Sequence, residues 1–169
     1  MFVIAIDGGS AGGKTTMSKR LEEKYDCTVF HMDDFFLRPE QRTAERLKET
    51  GGNIDRERFL EEVLEPLSRG EPVYYRRFDC ASQKILEAVE VIPKELVIIE
   101  GVYSMHPAFE KYYDLTIYLD ISPEEQKERI LRRNTPEKAK QYLETWIPLE
   151  NKYFAEMKIK ERCKLQLGT

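Results

Sequence analysis

The fold of this chain is decided by one stretch near its start, Gly8-Gly9-Ser10-Ala11-Gly12-Gly13-Lys14-Thr15. It fits the pattern G-x-x-x-x-G-K-[ST], in which backbone N–H groups cradle nucleotide phosphates. The apolar run from Phe2 to Ile6 before it predicts a buried strand, and Thr15 to Tyr25 after it has helical spacing. A helix N-terminus adds N–H donors and partial positive charge. We therefore expect a phosphate-binding loop (P-loop) rather than an accidental glycine-rich turn, with Lys14 on the β- and γ-phosphates and the Thr15 hydroxyl on Mg²⁺.

Composition limits the class of protein. The 169 residues suit one domain, and 41% hydrophobic with 34% charged residues is normal for a soluble globular chain. The net charge of −4 argues against a nucleic-acid scaffold. The three cysteines are scattered and predict reduced thiols instead of a disulfide framework or a zinc site. The apolar runs are far shorter than the ~20 residues of a membrane span, and the first strand leaves no room for a signal peptide, so we expect a cytoplasmic protein that binds neither membrane nor nucleic acid.

Strands and helices alternate along the chain. After the first strand, apolar runs predict strands over 28–32, 96–99 and 115–119, a last edge strand over 163–167, and small strands or a flap over 73–75 and 85–91. Capping patterns predict helices over 56–69, ended by Gly70, and from Ser122-Pro123-Glu124-Glu125 to about Asn134. A further helical stretch follows Thr135 and bends near Pro148. This order predicts an α/β three-layer sandwich over residues 1–169, with a central parallel sheet, helices on both faces and a small helical lid.

Carboxylates follow two of the predicted strands. Asp33 and Asp34 come directly after 28–32, and Glu100 comes directly after 96–99. The carboxyl ends of parallel strands share one edge, where ligands bind, so these groups face the same crevice as the loop. One Asp could accept the proton of an attacking hydroxyl or hold a metal, although a helix cap or a solvated turn would explain the pair equally well. Glu100 matches the second metal-binding element of P-loop enzymes.

Three arginines, Arg129, Arg132 and Arg133, lie on or just beyond the helix that begins after Ser122. They could close over a triphosphate and balance the charge that spreads onto a transferred group. Glu124, Glu125 and Glu128 nearby are equally consistent with an ordinary charged helix face. Both interpretations remain open at this stage.

Together these elements resemble the uridine kinase and nicotinamide riboside kinase branch of the P-loop kinases, over nearly the whole chain. The loop is very like the uridine kinase loop, and residues 31–40 (HMDDFFLRPE) look like the riboside kinase segment whose first Asp is the proposed base. The resemblance implies that Asp33 is the base and that Asp55, in Asn53-Ile54-Asp55, holds ribose hydroxyls in addition to capping the helix that follows it. Residues 97–101 resemble the strand that ends in a metal-associated Glu, and 129–134 resemble the arginine-rich lid.

One segment departs from the family. Uridine kinases carry Tyr-Asp-Phe followed shortly by a His that reads the base, whereas this chain has Phe78-Asp79-Cys80, with Gln83 near the position of the His. Pyrimidine recognition is therefore in doubt, while the phosphoryl-transfer elements are intact. The expected acceptor-binding residues are Asp33, Phe36, Arg38, Asp55, Tyr74, Phe78, Asp79 and Gln83.

These observations predict a kinase that transfers the γ-phosphoryl group of ATP to a hydroxyl of a nucleoside-like acceptor, and a homo-oligomer is left open. The expected nucleotide-binding residues are Gly8, Gly9, Ser10, Ala11, Gly12, Gly13, Lys14, Thr15 and Thr16. We expect Thr15, Glu100 and Asp33 to bind Mg²⁺. The expected catalytic residues are Asp33, Lys14, Arg129, Arg132 and Arg133.

The alternatives are a kinase of nicotinamide riboside, pantothenate or another small metabolite, and a non-kinase nucleotide-binding protein. A GTPase-type switch needs Asn-Lys-x-Asp, and the one Asn-Lys pair, at Asn151, lacks the Asp.

Overall fold

A computed structural model describes residues 1–168. Its strands are β1 (Phe2–Gly8), β2 (Cys27–His31), β3 (Val73–Asp79), β4 (Lys84–Val91), β5 (Leu96–Glu100), β6 (Leu115–Asp120) and β7 (Leu165–Gly168). Its α-helices are α1 (Lys14–Lys24), α2 (Ala44–Lys48), α3 (Arg56–Phe59), α4 (Glu65–Arg69), α5 (Pro123–Arg133), α6 (Pro136–Gln141), α7 (Ile147–Glu156) and α8 (Ile159–Arg162). Two π-helical turns, Leu60–Leu64 and Tyr142–Trp146, join α3 to α4 and α6 to α7.

Five strands form one sheet in the order β2-β5-β1-β6-β7, and every neighbouring pair is parallel. In β5, Ile98 belongs to a core cluster on one face of the sheet, with Met17 and Leu21 of α1 packed beside it. Val97 and Ile99 belong to the cluster on the other face, together with side chains of the 56–69 helix and of α7. Because alternate residues of a strand point to opposite faces, a strand buried on both sides is apolar throughout. The predicted three-layer fold with a parallel sheet is confirmed.

The order of the strands places the ligand crevice. The chain leaves β1 toward β2 on one side of the sheet and later crosses back to β6 on the other. In open parallel sheets, ligands bind at the carboxyl ends of the strands where the order reverses in this way. The loop after β1 and the residues after β2 and β5 therefore meet at one edge.

Two glycines allow close approach at this edge. Gly8 has φ +143°, and a Cβ there would lie 2.4 Å from the Leu119 carbonyl oxygen. Gly101 has φ +138°, and a Cβ there would lie 2.7 Å from the Cβ of Met32. A side chain at either position would force neighbouring strand ends apart, so glycine is needed for the geometry of the crevice.

The segments over 73–79 and 84–91 form a separate antiparallel hairpin, so small strands are the correct interpretation. The predicted strand over 28–32 ends one residue early, because Met32 begins a 3₁₀ turn that carries Asp33 and Asp34. Only one of the two bonds of the predicted capping box at Ser122 forms. Ser122 Oγ accepts from the Glu125 N–H, whereas the Glu125 side chain pairs with Arg129.

Within residues 1–168, no helix is both long and apolar enough to cross a bilayer.

Candidate active site

A cleft of about 1310 Å³ lies along the carboxyl edge of the sheet. Sites for a single small molecule usually measure about 300–1,000 Å³, so this cleft has room for a nucleotide and an acceptor together. Its walls come from the P-loop, the ends of β2 and β5, the tip of the β3–β4 hairpin and the helical run from α5 to α7.

The P-loop forms as the sequence predicts. Helix α1 begins at Lys14, directly after Gly13, which has φ 87°. The Lys14 Nζ donates to the carbonyl oxygens of Gly8 at 2.7 Å and of Gly9 at 2.9 Å. These bonds hold the ammonium group across the mouth of the loop. From Ser10 to Thr16 the loop lines the cleft, whereas Gly8 and Gly9 contribute through their carbonyl groups.

Glu100 joins the loop to the end of β2. Its Oε1 accepts from Thr15 Oγ1 at 3.2 Å and lies 2.6 Å from His31 Nδ1. The hydrogen bond to Glu100 raises the pKa of His31 above its usual value, against the opposing effect of partial burial. A hydroxyl and a carboxylate side by side are oxygen ligands of the kind Mg²⁺ prefers. Within residues 1–168, no group of three or more His, Cys, Asp and Glu side chains is placed to hold a metal. A metal here would therefore need phosphate and water ligands as well, which is the usual binding mode of Mg²⁺.

The two adjacent aspartates have different surroundings. Asp33 is solvent-accessible where it lines the cleft; the cleft walls around its carboxyl group raise its pKa, while Lys14 opposes the shift. Asp34 points away from the cleft toward the hairpin, with its Oδ2 3.9 Å from the Arg77 Nε. The backbone oxygen of Asp34 accepts from Arg58 Nη2 at 3.0 Å. Of the two aspartates, only Asp33 lines the cleft.

The predicted lid arginines all line the cleft. Arg129 donates from Nη1 to the Ala11 carbonyl oxygen at 3.0 Å and pairs with Glu125. Arg133 lies over the Tyr142 ring at 5.5 Å. Its positive charge also opposes the rise in the pKa of Asp33. Arg129 therefore contacts the loop and also takes part in a helix-face ion pair, while its role on a triphosphate stays a prediction.

Three predicted acceptor-binding residues are not on the cleft walls. Asp55 is 3% exposed, and it accepts from Gln41 Nε2 at 3.0 Å and from the Arg58 N–H and Nε at 3.2 and 3.3 Å. Tyr74 is 57% exposed on the outside of the hairpin and bonds Glu90. Arg38 donates to Gln41 at 3.0 Å. Of the segment 53–55, Asn53 alone lines the cleft, and the bonds of Asp55 are those of a helix cap and an ion pair; its ribose role stays a prediction.

Phe36, Phe78, Asp79 and Gln83 do line the cleft. The Asp79 carboxylate is already engaged, since it accepts from the N–H groups of Ala81 at 3.2 Å and Ser82 at 3.0 Å. Gln83 donates to the Cys80 carbonyl oxygen at 2.7 Å. These bonds shape the hairpin tip, which forms the outer wall of the cleft.

Sequence reasoning missed three polar residues beside the loop. His31 pairs in register with Glu100 across β2 and β5, so the parallel alignment of those strands was the signal that could have found it. Asp7 is fully buried below the loop and accepts from the Gly8 N–H at 2.7 Å, the Met105 N–H at 3.0 Å and the Tyr153 hydroxyl at 2.8 Å. Glu150 is 4% exposed on α7 and binds Ser10. No local pattern marks Asp7 or Glu150, because Met105 and Tyr153, which bind Asp7, and Ser10, which binds Glu150, lie far along the chain.

Comparison with known proteins agrees with this geometry. A family model described as an AAA domain matches residues 4–154. A uridine kinase of Clostridium perfringens is 26% identical over 165 residues, which cover 89% of this chain and 79% of that protein. A uridine kinase of Staphylococcus aureus is 24% identical over 172 residues, covering 92% of this chain and 83% of that protein.

Among solved structures, a protein described as a possible uridine kinase from Bacillus stearothermophilus superposes with a TM-score of 0.73 at 20% identity, over 98% of this chain and 88% of the other. At that identity the likeness shows the fold alone. The family match covers far more than half of the chain and includes the P-loop, the strand that ends at Glu100 and the lid. The chain therefore belongs to the AAA domain family, and its similarity to curated uridine kinases supports the uridine kinase-like branch of the P-loop kinases.

Proposed function

We propose that this protein is an ATP-dependent kinase that transfers the γ-phosphoryl group to a hydroxyl of a small, nucleoside-like acceptor. The observation that carries the proposal is the convergence of four groups on one cleft: the Lys14 ammonium, the Thr15 hydroxyl and the carboxylates of Glu100 and Asp33. These are the elements that phosphoryl transfer requires, namely a phosphate cradle, ligands for a metal and an acceptor for the proton of the attacking hydroxyl.

Each group has a role that follows from its position. The loop N–H groups and Lys14 would hold the β- and γ-phosphates, and Lys14 would leave the Gly8 and Gly9 carbonyl oxygens to follow the phosphoryl group. Thr15 and Glu100 would hold Mg²⁺, Asp33 would contribute through water, and the ion would neutralise charge on the phosphate oxygens. Arg132 and Arg133 would approach the phosphates from the lid. Asp33 would orient or deprotonate the acceptor hydroxyl.

The nature of the acceptor rests on resemblance. The curated relatives are uridine kinases, which favours a nucleoside. Gln83 at the hairpin tip, in place of a base-reading His, favours a different base or a different small metabolite, such as nicotinamide riboside. The buried position of Asp55 weakens the residue-level argument for ribose, so the riboside assignment depends on Asn53 and on whole-chain similarity.

We also propose that residues 1–169 form one kinase domain working in the cytoplasm. Cys27, Cys80 and Cys163 are free thiols, as expected for a reducing compartment. ATP and the acceptor would be its partners.

The test is a coupled assay of ADP release over a panel of nucleosides, ribosides and small alcohols, with Mg²⁺ present and then removed by EDTA. We expect acceptor-dependent ADP release that requires the metal. Lys14→Ala should lower turnover by at least about 10³-fold, because the variant lacks the charge that follows the transferred group. Wild-type turnover in Lys14→Ala, with any acceptor, would show that phosphoryl transfer does not take place at this loop.

A further inference from the structure

The polar groups of Ser10, at the tip of the P-loop, are all bound by side chains of the helices that follow β6. The Ser10 N–H donates to Glu150 Oε2 at 2.9 Å, and its hydroxyl donates to Glu150 Oε1 at 2.5 Å. Its carbonyl oxygen accepts from Gln126 Nε2 at 2.9 Å. One residue of the loop is therefore fixed by α5 from one side and by α7 from the other.

Helix α7 reaches the loop a second time, one turn further on. The hydroxyl of Tyr153 donates to Asp7 Oδ2 at 2.8 Å, and Asp7 immediately precedes the loop. Glu150 and Tyr153 are three residues apart, so they lie on the same face of the helix. Helix α7 thus holds the loop at its base and at its tip.

The surroundings of Glu150 are costly for a carboxylate. The side chain is nearly fully buried, and the loss of water raises its pKa, while the two bonds to Ser10 and the Lys14 charge oppose the rise. A buried acid is retained in a fold when hydrogen bonds or nearby charges compensate its desolvation. The groups that compensate it here belong to the phosphate-binding loop.

We infer that Glu150 is a positioning residue for nucleotide binding: it fixes the Ser10 peptide, and so keeps the inner N–H groups of the loop converged on the phosphates. The inference depends on the proposed function only in that the loop binds a nucleotide. A loop whose N–H groups are already fixed does not have to reorganise when the phosphate binds, so preorganised donors give tighter binding. Because α7 continues the helical run that lines the cleft through Tyr142 and Trp146, the loop and the lid share one support.

The test is the Kd of MgADP, measured by calorimetry at 25 °C for the wild-type protein and for variants that remain folded by circular dichroism. Glu150→Ala should weaken binding about tenfold or more, which corresponds to the loss of charge-assisted bonds. Glu150→Gln can still accept from the Ser10 N–H and should stay within about threefold of wild type. Ser10→Ala loses the hydroxyl bond alone and should lie between the two. Glu144→Ala, an exposed glutamate earlier on the same helical run, is the matched control and should bind normally.

The outcomes separate this inference from the proposed function. A folded Glu150→Ala protein that binds MgADP with the wild-type Kd overturns the inference, as does an equal loss in Glu144→Ala. If Glu150→Ala fails to fold, Ser10→Ala decides: an unchanged Kd overturns the inference and a weakened one supports it. A wild-type protein that binds MgADP but phosphorylates no acceptor would refute the kinase proposal. The MgADP Kd values of the variants would still show whether Glu150 positions the loop.

Discussion

At the scale of single residues, the functional question is which of two neighbouring aspartates does the chemistry. Asp33 and Asp34 share a 3₁₀ turn, in which one carboxylate faces the cleft and the other faces the hairpin. Their chemical types are identical, so position alone distinguishes them. The same turn places Asp33 near Lys14, whose charge favours the ionised form that a base requires.

This difference predicts unequal effects of the same substitution. Asp33→Asn should lower kcat by about 10² to 10⁴, the usual cost of losing a general base. Asp34→Asn should lower it by less than about tenfold, because the Asp34 carboxylate contacts Arg77 rather than the cleft. The measurement is steady-state kcat with the best acceptor from the screen, at matched thermal stability. Equal losses, or a greater loss for Asp34→Asn, would contradict the assignment of Asp33 as the base.

At the scale of elements, the helical run from Arg56 to Arg69 begins after Asp55, which the sequence pattern predicts as its cap and the family resemblance implies as a ribose ligand. Asp55 caps this run by accepting from the Arg58 N–H, and it pairs with the guanidinium of Arg58, which is 5% exposed. That guanidinium also lies over the Phe35 ring at 4.5 Å and donates to the backbone oxygen of Asp34. The cap of one element is therefore joined to the turn that carries the proposed base.

Asp55→Ala should lower the free energy of unfolding by about 2–4 kcal/mol, since it removes a cap and leaves a buried guanidinium with fewer partners. Urea unfolding followed by circular dichroism measures this loss. Glu61→Ala, on the exposed side of the same run, is the control and should change stability by less than about 0.5 kcal/mol. If Asp55→Ala were as stable as wild type but lost its preference for a ribonucleoside over the 2′-deoxy analogue, Asp55 would bind ribose and not act mainly as a cap.

The sequence predicted the secondary-structure elements better than it predicted the contacts between distant residues. The P-loop, the strands 96–100 and 115–120 and the helix after Ser122 depend on patterns only a few residues long, and local patterns can be read from one chain. The direction in which a carboxylate points depends on contacts across the fold. Glu150 meets Ser10 over a separation of 140 residues, and Gln41 meets Asp55 over 14. Neither contact produces a periodic pattern or a motif in the sequence, so neither could be predicted from the sequence alone.

At the scale of the whole molecule, one buried carboxyl group couples the stability of the fold to pH. Asp7 lies at the centre of the molecule, where β1, the segment after β5 and α7 meet around it through its three hydrogen bonds. Burial raises its pKa from 3.8 to about 6, although those bonds and Lys14 favour the charged form. Because the folded protein holds this proton to a higher pH than the unfolded chain does, its contribution to stability is complete below pH 4 and falls as the pH rises toward 6.

The predicted magnitude follows from the difference between a pKa of about 6 in the folded protein and 3.8 in the unfolded chain. Relative to Asp7→Asn, whose side chain does not titrate, the wild-type protein should lose on the order of 3 kcal/mol of unfolding free energy between about pH 4 and pH 7. Urea unfolding of both proteins across this range measures the difference. Asp26→Asn, at an exposed carboxylate paired with Lys94, should show no such trend relative to wild type. Parallel pH profiles for wild type and Asp7→Asn would mean that Asp7 has the same pKa in the folded and unfolded states.

The position of β1 between β5 and β6 has a consequence for how the protein is made. β1 is translated before the other strands of its sheet, and its first partner strand begins 94 residues later, where Phe2 pairs with Leu96; its second partner lies beyond that. At about 5–20 residues per second, a ribosome needs roughly 5–19 s to make that interval. During this time the apolar strand that supports the P-loop has no sheet to join, so the nascent chain exposes an aggregation-prone segment until β5 emerges. Folding of the central sheet during synthesis must therefore wait for the second half of the chain.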